Sequence, residues 1–125
     1  MTISKSVYEQ ALRDGIRVFQ DAIGRADVPL HTFEIFLTIS EKTPPTTEDV
    51  KKLFPSLSHS AVSRNIQILT ATSNTRKDGG FPLCEYVVDP KDRRYKYIHL
   101  TKLGKEVRDS IFANGTRLIN DFISA

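Results

Sequence analysis

Apolar positions recur along this chain at two different periods. Ile3, Val7, Leu12, Ile16, Phe19 and Ile23 stand three to five residues apart, which predicts a helix over residues 3–25. Gly15 interrupts that stripe, at a cost of about 1 kcal/mol relative to alanine. Asp27-Val28-Pro29 is a break, and Pro29 suits the first turn of a second helix, where a missing N–H costs nothing. The second helix carries Phe33, Phe36, Leu37 and Ile39 and stops before Pro44-Pro45. Thr46-Thr47-Glu48-Asp49 is a helix-start signature, with Thr46 as cap and Asp49 three residues on. A short third helix follows, with Val50, Leu53 and Phe54 as its expected apolar face, and Pro55 ends it.

Residues 56–69, SLSHSAVSRNIQIL, set a second helix directly after a tight Pro-Ser-Leu turn. Ser58 is placed to cap it. Ala61, Val62, Ile66 and Leu69 share the inward face, and His59, Ser60, Ser63, Arg64 and Gln67 share the outward one. Two helices around a short turn, the second with small polar, amide and cationic side chains facing out, make a helix-turn-helix pattern. Such a helix has an apolar back to hold it on a core. Its front suits a groove about 12 Å wide, where side chains donate to and accept from base edges. Its first turn also directs backbone N–H groups at a phosphate. The same pattern fits any amphipathic surface helix.

Beyond a loop at residues 73–83, broken by Gly79-Gly80 and Pro82, the period changes to two. LCEYVVD and RYKYIHLT read as two strands joined by Pro-Lys-Asp-Arg, a hairpin. Lys96, Ile98 and Leu100 fall on one face of the second strand, and Tyr95, Tyr97 and His99 on the other. Thr101 then caps a closing helix over residues 101–123 with Leu103, Val107, Ile111, Leu118 and Phe122 as its stripe. The order is helix, helix, helix-turn-helix, hairpin, helix. The fold class is mainly α, of the α+β kind: a winged helix-turn-helix with an extra helix at each end.

Composition changes this picture little, and charge sharpens it. The 125 residues are 39% hydrophobic and 26% charged, enough for one domain that buries its own core. The formal net charge is only +3. Residues 76–108, however, hold nine cationic side chains against five acidic ones, a net +4, which leaves about −1 for the rest. A positive charge concentrated in one segment fits a polyanionic partner. One cysteine, Cys84, excludes an internal disulfide framework and a cysteine-rich zinc site. Its place on a strand favours packing over a redox role. His31, His59 and His99 lack metal-ligand spacing. His59 sits on the outward helix face, and the other two read as structural. There is no membrane-spanning run and no signal-like apolar segment in MTISKSVYEQ, so a cytoplasmic location is expected. No Ser/His/Asp grouping, phosphate-cradling glycine loop or paired carboxylates point to an enzyme, and no cofactor or metal is expected.

The stretch DPKDRRYKYIHLTKLGKEV, residues 89–107, closely resembles the wing and following helix of the MarR family of bacterial transcriptional regulators. Asp92-Arg93-Arg94, Leu100-Thr101 and Gly104 match that pattern in order and spacing. LSHSAVSRNI, residues 57–66, resembles the family's recognition helix at Leu57, Ser58, Ser60, Val62, Ser63 and Arg64. Pro55-Ser56 departs from it, standing where the family usually has a glycine. The resemblance implies one domain over residues 1–125: a winged-helix core at 29–100, and helices at 1–26 and 101–125 that form a homodimer. It implies a sequence-specific regulator, most simply a repressor, on an inverted repeat of double-stranded DNA. Ser58, His59, Ser60, Ser63, Arg64 and Gln67 would face the major groove. Lys91, Asp92, Arg93, Arg94 and Lys96 would form the wing, with Arg94 in a minor groove, oriented by Asp92. Two alternatives stay open: Asp92 and Arg94 as a solvated ion pair of little worth, and a replication, architectural or protein-interaction factor of a mobile element. A small-molecule effector is possible by the same resemblance, but no pocket is legible in the sequence.

Overall fold

The structure is a computed structural model that describes residues 5–24, 27–40, 43–70 and 82–124. Ile3 and most of the 73–83 loop, with Arg76 and Lys77, lie outside the described residues, as does the side chain of Phe122. Among the described residues seven elements follow in order: α1 (Lys5–Ile23), α2 (Leu30–Ile39), α3 (Thr47–Leu53), α4 (His59–Thr70), β1 (Cys84–Val88), β2 (Lys96–Leu100) and α5 (Lys102–Ser124).

The core gathers one face of each element. Phe19 and Ile23 of α1, Ile35, Phe36 and Ile39 of α2, and Val50 of α3 are buried. They meet Val62, Ile66 and Leu69 of α4, Cys84 and Ile98 of the strands, and Val107 of α5. The Phe19 ring sits 4.9 Å from that of Phe33 and 5.1 Å from that of Phe36, an aromatic contact that fixes α1 against α2. The two end helices pack along one another. Gly15 is buried where they approach: a methyl group on it would lie 3.3 Å from Ile111 Cγ2. The residue that weakens α1 as an isolated helix is the one that lets α5 come close.

Local signals set the boundaries. Thr46 and Asp49 form the complete capping box, with each side chain accepting from the other's backbone N–H, at 3.1 and 3.0 Å. Pro29 stands one place earlier than the spacing predicts: it is the cap of α2, extended at φ −59°, ψ 142°, and its carbonyl accepts from Thr32 N–H. Three expected core positions lie outside. Leu53 is 62% exposed, because the chain leaves the helix at Phe54, whose ring packs on the core instead. Leu12 and Leu37 are also exposed: Leu12 stands on the same face of α1 as Gly15 and Phe19 but a turn before the buried stretch begins, and Leu37 points away from the line of Thr32, Ile35 and Ile39 in α2.

The sheet is one antiparallel pair, with Cys84 opposite Leu100 and Val88 opposite Lys96. Ile98 N–H also reaches across to Pro45 O at 2.8 Å, so the chain before α3 flanks β2 on its other side. Leu83 joins three elements through one residue's backbone. Its N–H donates to Leu69 O in α4, and its carbonyl accepts from Thr101 N–H, both at 2.9 Å. Thr101 Oγ1 donates to Pro82 O at 2.7 Å and accepts from Gly104 N–H, capping α5. A Cβ at Gly104 would collide with the Leu83 carbonyl, so no side chain fits there. Among the described residues no helix is long and apolar enough to cross a membrane.

Candidate nucleic-acid interface

The helix α4 is built as an inside and an outside. Ser58 caps it, its Oγ accepting from Ala61 N–H at 3.1 Å. Val62, Asn65, Ile66 and Leu69 are buried, and His59, Ser60, Ser63, Arg64 and Gln67 are all exposed. A side chain that faces water in the free protein can meet base edges without a core having to open. The outward set is the one that the 3.6 period predicts. The buried amide of Asn65 was not legible as a core residue, since its partner, Thr32, lies 33 positions away on α2.

The wing tip is more ordered than its charge suggests. The connection between the strands spans residues 89–95, longer than the four residues of the turn read from sequence, because Asp89, Arg94 and Tyr95 are drawn into it. Tyr95 N–H donates to Asp92 O at 3.1 Å, and Asp89 N–H donates to Tyr95 O at 2.9 Å. The carboxylate of Asp89 accepts from Lys91 N–H at 2.8 Å and from the Tyr97 hydroxyl at 3.4 Å. That of Asp92 accepts three times from Arg94: from its N–H at 3.1 Å, from Nε at 3.0 Å and from Nη2 at 2.8 Å.

The last two bonds form a fork, the bidentate geometry that suits a planar guanidinium. Hydrogen bonding from the Arg94 side chain, and then from its backbone N–H, lowers the Asp92 pKa; the carboxylate in turn raises that of Arg94. The Arg94 side chain nevertheless remains 84% exposed. Its Cζ stands 6.0 Å from the centre of the Tyr95 ring, at the outer limit of a cation–π contact. Asp92 therefore fixes the direction of a cation that points into solvent. Lys91, Arg93 and Lys96 are exposed around it. At the root of the wing, Tyr86 Oη lies 3.4 Å from Thr47 Oγ1, a link to α3 that no sequence pattern announced.

No family model matches the sequence, and no curated protein does. Solved structures do. A transcriptional regulator of Thermotoga maritima, Tm0710, superposes with a TM-score of 0.66 at 23% identity, over 96% of this chain and 80% of that one. The chain has a MarR-like winged-helix fold. A second MarR-like regulator of the same organism, tm0816, gives a TM-score of 0.63 at 21% identity, over 99% of this chain and 83% of that one. A cysteine-to-serine mutant of MarR from E. coli, complexed with operator DNA, gives 0.55 at 18% identity, over 94% of this chain and 77% of that one. In the MarR-like arrangement, α4 occupies the second position of the helix-turn-helix and the 89–95 turn is the tip of the wing.

Cys84 is buried at the start of β1, and desolvation pushes its thiol up from 9.0 to about 12, so it is neutral at physiological pH. Its surroundings are those of a packing residue. His31 Nδ1 is 3.3 Å from Glu34 Oε1 on the exposed side of α2. Among the described residues no three His, Cys, Asp or Glu side chains gather to hold a metal.

Proposed function

We propose that this protein is a sequence-specific regulator of transcription that binds double-stranded DNA, acting as a homodimeric repressor on an inverted repeat. The observation that carries this is the wing tip: a guanidinium braced by a carboxylate on one side and open to solvent on the other. A solvated ion pair has no need of three hydrogen bonds to one carboxylate. A side chain that must enter a narrow minor groove does, since the groove's enhanced negative potential attracts arginine and its walls admit only a well-aimed one. The exposed face of α4 is the natural partner of that wing. Ser58, His59, Ser60, Ser63, Arg64 and Gln67 supply short donors and acceptors, one amide and one cation for a major groove. Lys91, Arg93 and Lys96 would hold phosphates, adding affinity and register without reading sequence.

A palindromic site follows from two-fold symmetry. The single 125-residue domain would dimerise through α1 and α5, which carry exposed Tyr8, Leu12, Phe112 and Ile123. Occupying a promoter is then enough to repress it. Selection of bound duplexes from a random pool, repeated at rising salt, tests the reading. The expected result is an enriched inverted repeat whose affinity falls steeply with salt. A pool with no enriched sequence at any salt concentration removes it.

A further inference from the structure

Among the described residues, two polar ones, Thr32 and Asn65, are buried in an otherwise apolar core. Thr32 is fully buried on α2, and Asn65 is 8% exposed on the inward face of α4, between Val62, Ile66 and Leu69. The Thr32 hydroxyl donates to Asn65 Oδ1 at 2.5 Å, and Asn65 Nδ2 donates to the carbonyl of Ala61 at 2.7 Å. Only the amide nitrogen can donate to that carbonyl, so the orientation of the Asn65 amide is fixed. Among the described residues no buried side-chain nitrogen or oxygen is left without a partner.

This pair does what its apolar neighbours cannot. Val62, Ile66 and Leu69 drive α4 onto the core, but contact between hydrocarbon surfaces is non-directional and tolerates small rotations. A buried hydrogen bond is directional, and turning the helix far enough to break it would strand two desolvated polar groups. Asn65 is flanked in sequence by Arg64 and followed after one residue by Gln67, both on the exposed face. A helix advances 3.6 residues per turn, so fixing the azimuth of Asn65 also fixes that of Ser60, Ser63, Arg64 and Gln67. We propose that Thr32 and Asn65 are positioning residues that lock the rotation of α4 about its own axis. They thereby set which bases the exposed face can read, without touching DNA themselves. The inference rests on the DNA-binding reading given above and adds the device that aims it.

The test replaces the lock with packing. Thr32→Val/Asn65→Leu removes both polar groups together, and the stability of such a swap is expected to match or exceed the parent, since a satisfied buried polar pair is often no better than hydrocarbon. Discrimination is expected to suffer. The ratio of affinity for the selected duplex to affinity for a scrambled one should fall by about tenfold or more, the scale of one mismatched base pair. Non-specific affinity and its salt slope should stay as they are. Thr32→Val alone removes only the interhelical bond and should show the same loss, and Thr32→Ser, which keeps the hydroxyl, should restore the ratio. A folded double or single variant that discriminates as well as the parent overturns the proposal. A parent chain that selects no duplex overturns the DNA-binding reading itself, and this inference with it.

Discussion

Arg94 is a side chain held in place at one end and free at the other. If it enters a minor groove, Arg94→Ala should lower affinity for the selected duplex by about one to two orders of magnitude, and thermal unfolding should not move. Arg94→Lys should restore little, since an ammonium cannot make the fork to both oxygens of Asp92. The pH dependence follows from the sign of the Asp92 shift. Its value lies below the ordinary 3.8, so the pairing is present above that value and is lost only as pH falls further, through the folded-state value. The Arg94 Nε–H resonance should therefore hold its position from neutral pH down to about pH 5. Cys84 makes the opposite case. A neutral, buried thiol should resist a disulfide reagent in the native protein and react only on unfolding; fast labelling of the folded chain would contradict its role as packing. The sequence shows that Asp92 and Arg94 lie two apart, and spacing alone suggests an ion pair. It does not show that the carboxylate also binds the Arg94 backbone, because that depends on the turn closing through Tyr95.

Elements begin and end where short-range chemistry decides, and there the sequence is most legible. Thr46 and Asp49 are adjacent enough for their reciprocal caps to be read directly. Removing the cap with Thr46→Ala should cost about 1 kcal/mol in equilibrium unfolding. The outward face of α4 was legible for the same reason, since all its determinants lie within three turns of one helix. Leu53 was not. Periodicity places it beside Val50, but the helix stops at Phe54, and the side chain that fills the space is one residue further on. Gly104 was legible only as part of a motif. Its physical cause, the Leu83 carbonyl against its Cα, joins residues 21 positions apart. Gly104→Ala should accordingly be poorly folded, as followed by circular dichroism, because the colliding atom is backbone and cannot turn aside.

At the scale of the molecule, the free apolar surface on the end helices is the feature to test. Phe112 is 74% exposed in the single chain, an unusual place for a ring of that size. Sedimentation should give about twice the 14.1 kDa of one chain, and Phe112→Asp should shift the mass towards the monomer and weaken binding to an inverted repeat more than to a half-site. The sequence made the order of elements readable because each carries its own period. It left the contacts between them obscure. Gly15 against Ile111, Thr32 with Asn65, and Tyr86 with Thr47 all join residues far apart in the chain, and no local pattern pairs them.

The peptide groups of Leu83 tie the end of α4, the root of the wing and the start of α5 at one point. A lever turns about such a fulcrum. With its first turn pinned there, a tilt of α5 is expected to pull on α4 and on the root of the wing together. If two copies pair through α1 and α5 as proposed, the span between their α4 helices would then be adjusted by the pitch of the long helices, with each winged-helix unit keeping its internal shape. If the protein grips DNA as proposed, anything that wedges those helices apart would detune that grip by changing a distance, leaving every contacting side chain intact.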